Sequence, residues 1–333
     1  MSKRIIECVP NFSEGRDVSK IDAIRGAIGS VAGVTVLHVD RGEAANRTVI
    51  TFAGAPDAVV EGAFRGAEAA SRVIDMRCHR GAHPRIGATD VLPLVPVSGV
   101  TLEECALMAR GLAARMAEEL GTPCYCYEAA ALRPEFSNLA VCRHGEYEAL
   151  QQKLSDERVR PDFMPADLSR AARTGISVVG ARRFLIAVNF NLDTADTAVA
   201  KAIAREVRQK GEAGRPHAME GVKAIGWYID EYGIAQVSMN ITDIVATPLH
   251  TAFTTVTAAA REHGVSVTGT EIIGMVPLSV LTAAGRFFLG HTAPDGQLIG
   301  EAVKRMGLDD LRPFVPAEKV IDLALGFPTA SLT

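Results

Sequence analysis

The order in which strand-like and helix-like stretches follow one another constrains this chain more than any single motif. Arg4–Val9 is a short β-rich run, and Ser19–Ser30 carries Ile21, Ile24 and Ile28 at helical spacing. Val34–Asp40 and Arg47–Phe52 are β-rich runs joined by the polar turn Arg41-Gly42-Glu43, which predicts a hairpin. A helix follows over Pro56–Ile74, with proline at its start, and then a strand over Asp90–Val97. The order to this point is βαββαβ. Thr101–Leu120 adds a helix with Thr101 and Glu104 as a capping-box pair and Gly121 as its stop, and Pro123–Tyr127 adds a strand.

A second βαββαβ cycle begins after Arg183. Its strands are Phe184–Phe190, Ala224–Asp230, Ala235–Thr242 and Val265–Thr268, and its helices are Ala195–Lys210 and His250–Glu262. The tail, Val276–Phe288 and Gly296–Phe327, reads as helical. The first strand of each cycle ends alike, in Val-Pro-Asn-Phe (Val9–Phe12) and Ala-Val-Asn-Phe (Ala187–Phe190). This hints at duplication of one α/β-sandwich unit, although βαββαβ is a frequent order and a shared Asn-Phe can arise by chance. Between Ala129 and Arg173 the pattern weakens, so the crossing between domains is expected there.

At 333 residues, 48% hydrophobic and 22% charged, the chain can bury a large core and has room for two domains. No stretch approaches the roughly 18 apolar residues of a membrane span, and a cytoplasmic location is the default expectation. Six irregularly spaced cysteines do not suggest a disulfide framework. A net charge of −4 gives no sign of a nucleic-acid partner, so any basic pocket must be local. With no Walker loop and no GxGxxG fingerprint, a nucleotide cofactor has no support.

Chemistry-bearing residues crowd into Cys78–Asp90, CHRGAHPRIGATD, between the Pro56–Ile74 helix and the Asp90–Val97 strand. Gly81, Gly87 and Pro84 rule out a regular helix, so the segment reads as a loop held by two rigid elements, a usual seat for an active site. His79 and His83 have a spacing that binds zinc on a helix, but Gly81 and Pro84 remove the helix, Cys78 has no CxxC partner, and no metal is expected. What remains for His83 is proton transfer, with Arg80 or Arg85 available for carboxylates. On composition alone, a histidine that satisfies a backbone carbonyl in a tight turn is the commoner outcome. Glu7 and Asn11, His38 and Asp40, and Asn46, Arg47 and Thr48 stand at three strand ends that could converge on this loop. GISVVGARR, from Gly175 to Arg183, could form a basic anion cradle, or be ordinary surface.

Five segments carry a resemblance: ECVPNFSEG (Glu7–Gly15), NRTVITFAG (Asn46–Gly54), HRGAHPRIGATDVLPLVPV (His79–Val97), VGARRFLIAVN (Val179–Asn189) and GWYIDEYGIAQVSMNITD (Gly226–Asp243). Together they resemble the glutamate formimidoyltransferase family, the formiminotransferase part of formiminotransferase-cyclodeaminases, from the N-terminus to about Phe327. The resemblance implies an α/β fold, an α+β sandwich of two βαββαβ ferredoxin-like-type subdomains with mixed sheets, divided at 1–178 and 179–333, with the ligand groove between them. It also implies transfer of the formimidoyl group from N-formimidoyl-L-glutamate to N5 of tetrahydrofolate, which serves as co-substrate.

The family's catalytic histidine falls on His83, and its strand-end aspartate on Asp40. Donor contacts are expected from Asn11, Arg47, Arg80 and Arg85. Folate contacts are expected from Gly175, Ile176, Ser177, Val178, Val179, Gly180, Ala181, Arg182, Arg183 and Phe184. A homodimer without nucleic-acid or membrane partners is implied, with the product passed to a separate cyclodeaminase. The chain departs from the family pattern at Ala82, where an acidic residue is expected, at Arg80 in place of a lysine, and at His38 in place of an aspartate. A same-fold transferase using formimidoylglycine or formylglutamate, or a non-catalytic folate-binding protein, therefore stays open.

Overall fold

The computed structural model describes residues 4–208 and 217–326 and divides the chain into two units, Met1–Arg183 and Phe184–Thr333. In the first unit β1 (Ile5–Cys8) and β2 (Asn11–Phe12) form an interrupted central strand, which pairs on one side with β4 (Arg47–Gly54) and on the other with β5 (Thr89–Ser98). β3 (Val34–Gly42) forms the expected hairpin with β4. These are the strand neighbours of a ferredoxin-like sheet. Beyond β5 the sheet continues in parallel through β7 (Ser177–Ala181) to β6 (Cys124–Glu128). The sheet is therefore mixed.

The local signals explain the helices. Asp17 caps α1 (Val18–Gly29) by accepting from the N–H groups of Ser19 and Lys20, and Pro56 opens α2 (Pro56–Val73). The Thr101/Glu104 capping box forms at the start of α3 (Leu102–Leu120), which stops at Gly121 in the left-handed conformation, φ 66°. These three helices cover one sheet face, where Ile6, Cys8, Phe12, Ile50, Phe52, Leu92 and Leu94 are buried.

The segment expected to cross between domains instead completes the first unit. Its short helices α4 (Leu139–Cys142), α5 (Leu150–Ser155) and α6 (Ala171–Thr174) join a 3-10 turn at Pro134–Ser137, and Phe136 and Cys142 pack with Tyr125, Tyr127 and Val178 on the other sheet face. Short, proline-interrupted turns give little periodicity, yet they bury apolar side chains as helices do. The division accordingly falls after Arg183 rather than at 178/179, because β7 is bonded into the first unit's sheet on both sides.

The second unit is built on β8 (Ile186–Leu192), α7 (Thr197–Val207), β9 (Val222–Ile229), β10 (Ile234–Ile241), α8 (Leu249–Glu262) and β11 (Val267–Ile273). Its strands lie in the order β11-β8-β10-β9, every pairing antiparallel. Helices α9 (Leu278–Leu289) and α10 (Asp295–Met306) and the short α11 (Pro316–Lys319) and α12 (Ile321–Ala324) complete it. Lys210, the expected end of the 195–210 helix, and Phe327, the expected end of the tail, lie outside the described residues. Alternation puts Val188, Phe190, Val237 and Met239 into the core. The opposite face carries an amide network in which Gln236 donates to Asn191 (2.8 Å), Trp227 to Gln236 (3.1 Å) and Asn189 to Glu271 (3.0 Å).

A Cβ on Gly226 of β9 would stand 2.2 Å from the Lys201 nitrogen and 2.3 Å from the Ala200 carbonyl carbon, both α7 backbone. Gly226→Ala must push the helix off the sheet. A cost of about 1–3 kcal/mol is expected, as for other overpacked cores, and a melting temperature within a degree of wild type would show that α7 is not seated this closely.

No helix among the described residues is long and apolar enough to cross a membrane.

Candidate active site

Two irregularities in the first unit's sheet build the site. Val36 pairs with Phe52 but His38 pairs with Thr51, so Leu37 is an extra residue. The bulge leaves Val34, Val36 and Val39 against the helices and turns His38 and Asp40 to the opposite face. The second bulge lies in β5. Asn11 pairs with Val91 and Phe12 with Thr89, which leaves Asp90 as the extra residue, its side chain freed from strict alternation. Asp40, Val49, Asn11 and Val91 form one register row across the sheet, with Arg47 on the same face of β4.

Asp90 is fully buried. One of its oxygens, Oδ2, accepts from Arg47 Nη1 and from Arg143 Nη2, and the other, Oδ1, accepts the Ile86 N–H at 2.8 Å. Burial opposes its charge, but the two guanidiniums and the Ile86 N–H prevail and lower its pKa to about 2. Arg47 Nε donates to Asn11 Oδ1 at 3.0 Å. Burial lowers the Arg47 pKa to about 10, with Asp90 opposing that shift and Arg143 reinforcing it.

His83 belongs electrostatically to this cluster. Its Nδ1 lies 2.7 Å from the Pro84 carbonyl oxygen. A carbonyl only accepts, so Nδ1 carries the hydrogen and the basic lone pair is on Nε2. The ring thus satisfies a turn carbonyl, as composition suggested. Burial, followed by the positive charges of Arg47 and Arg143, lowers its pKa to about 3, so the imidazole is neutral at physiological pH.

The remaining residues of the central loop hold it in place. His79 is buried and its Nε2 donates to the Asn46 carbonyl at 2.8 Å, while the Asn46 side chain accepts from the Gly15 N–H (2.9 Å) and donates to the Arg80 carbonyl (2.8 Å). Arg80 Nη1 donates to the His79 carbonyl at 2.6 Å. Arg85 is bonded to Glu146 (3.0 Å) and bidentately to Glu148 (2.7 Å to each oxygen), tying the loop to the segment that carries Arg143. On β3, His38 Nε2 stands 3.7 Å from Asp40 Oδ2.

Residues 175–184 are differently placed. Gly175 has φ 68°, and residues 177–181 form β7, with ladders on both sides that occupy its backbone groups. A backbone cradle is therefore unavailable over β7. The segment offers side chains instead, chiefly Arg182, which lies by the Tyr127 hydroxyl, and the exposed Arg183. Among the described residues no group of three or more His, Cys, Asp or Glu is placed to hold a metal ion.

Of the residues read from the sequence, Arg47 thus bonds both Asn11 and Asp90, and His83 lies in the field of the same cluster, while Asp90 itself was placed by the sequence in the reactive loop without a role. Arg143 comes from a stretch with no motif, and nothing local marked it.

A family model for the formiminotransferase domain, N-terminal subdomain, matches residues 5–182, and one for the formiminotransferase domain matches residues 187–326. A formimidoyltransferase-cyclodeaminase of Mus musculus is 44% identical over 96% of this chain, and the chain spans 59% of that protein's length. A glutamate formimidoyltransferase of Thermoplasma acidophilum is 41% identical over 86% of this chain and 92% of its own. One of Streptococcus pyogenes serotype M1 is 40% identical over 86% of this chain and 93% of its own. With both halves matched, and the resembling segments carrying the bulged strand and the histidine loop, the chain belongs to the formiminotransferase domain family.

Proposed function

We propose that this chain transfers the formimidoyl group of N-formimidoyl-L-glutamate to N5 of tetrahydrofolate, giving 5-formimidoyltetrahydrofolate and L-glutamate. The observation that carries the reading is its likeness to two glutamate formimidoyltransferases along nearly their whole length. N5 attacks the amidine carbon, a tetrahedral intermediate forms, and the glutamate nitrogen leaves. N5 must lose a proton and the departing nitrogen must gain one. Nε2 of His83 serves both steps, as base and then as acid. Asp40, on the sheet face shared with Asn11 and Arg47, stabilises the cationic amidinium, and Arg47 draws the donor's carboxylate. Arg182 and Arg183 are the side chains of the 175–184 segment suited to the folate glutamate. Homodimer assembly belongs to the same reading, supported by the family resemblance, and a cytoplasmic location is its default complement.

A coupled spectroscopic assay with tetrahydrofolate and formimidoylglutamate, formimidoylglycine or formylglutamate in parallel tests it. Formimidoylglutamate should be the preferred donor. Preference for another donor would move the chain to a sister activity, consistent with Ala82, and folate binding without turnover of any donor would leave a binding protein.

A further inference from the structure

The Asp90 cluster is unbalanced in charge and in hydrogen bonds. Two guanidiniums share one carboxylate, so the cluster keeps a surplus positive charge. Both carboxylate oxygens are engaged, whereas the arginines have donors to spare. Among the described residues Arg143 makes its bond to Asp90 through Nη2, and its Nε–H is buried with no partner. Arg47 uses Nε on Asn11 and Nη1 on Asp90. Because both grip the same oxygen, the two forks converge on one spot, and the loop that carries His83 reaches the same carboxylate through the Ile86 N–H, with His83 in the field of both arginines. Their side chains are only 11% and 14% exposed, so an anion reaching them would leave most of its water behind.

We infer that Arg47 and Arg143, drawn together by Asp90, form a receptor for the α-carboxylate of the formimidoylated amino acid. This rests on the transferase reading and adds Arg143 to the donor site. The α-carboxylate is favoured over the side-chain carboxylate by connectivity. The nitrogen that His83 must protonate sits on the carbon that bears the α-carboxylate, so a donor placed for proton return brings that group to the arginines. An anion seated there also offsets the arginines' share of a shift that burial leads. His83 then gains proton affinity when the donor is bound and not before.

The test is equilibrium binding by titration calorimetry of N-formyl-L-glutamate, N-formyl-L-glutamine, which keeps the α-carboxylate, and N-formyl-L-isoglutamine, in which it is a carboxamide. Wild type is compared with Arg143→Gln, and steady-state KM values are measured alongside. Arg143→Gln should weaken the first two ligands roughly 10- to 100-fold, the usual size for a charged hydrogen bond, and leave the isoglutamine ligand and the KM for tetrahydrofolate unchanged. Arg143→Lys, which keeps the charge but not the fork, should fall between, and serves if the glutamine variant does not fold. Equal weakening of all three ligands, or of none, overturns the inference. Selective weakening supports it even if no donor is turned over, an outcome that would sink the transferase reading alone.

Discussion

Replacing His83 with alanine is expected to lower the folate-dependent rate by about 10²- to 10⁴-fold, the range for loss of a positioned acid–base group. Substrate binding should change far less, since the binding charges belong to other residues. The pH profile gives a second check. An ordinary histidine base loses activity below about 6.5. In the free enzyme the His83 pKa is lowered to about 3 by burial and by the positive charges of Arg47 and Arg143, so kcat/KM should show no acidic limb from this residue near 6.5. The stability linkage has a definite sign. A base whose folded pKa lies below its unfolded value binds protons more readily when unfolded, so the native state loses stability as pH falls from about 6.5 toward the folded value. His83→Ala should flatten that slope. A variant with near-wild-type kcat would remove His83 from the reaction.

Asp90→Ala should be the most destabilising single change in the site. It leaves two buried guanidiniums facing each other with no counter-charge, and breaking a buried ion pair from one side costs about 3–5 kcal/mol. At roughly 2–4 °C per kcal/mol for a domain of this size, the first unit should melt some 6–20 °C lower. Asp90→Asn should be milder, since an amide oxygen can still accept from Ile86. Burial alone would raise this carboxyl's pKa, but the two arginines and the Ile86 N–H lower it to about 2. Its contribution is therefore complete above the unfolded value near 3.9 and is lost as pH falls through about 2. An alanine variant melting within a degree or two of wild type would show that Asp90 does not anchor the arginines.

Strand alternation, helical spacing in α1, the Thr101/Glu104 capping box, Gly121 as a stop and the irregular histidine loop rest on residues a few positions apart, and all are present in the fold. The family resemblance brought His83 to the centre, where composition alone had left it an ordinary turn histidine.

The working geometry depends on longer-range pairings. Leu37 and Asp90 are bulge residues only because of the register that β3 and β5 adopt against their neighbours, and no local pattern marks an extra residue. Arg143 meets Asp90 across 53 positions of sequence, from a stretch whose short turns carry no period. Local spacing and backbone preference decide which elements form. Which charges end up sharing one buried carboxylate is decided by how those elements pair, because the pairing alone determines where water is excluded and which side chains are left facing one another.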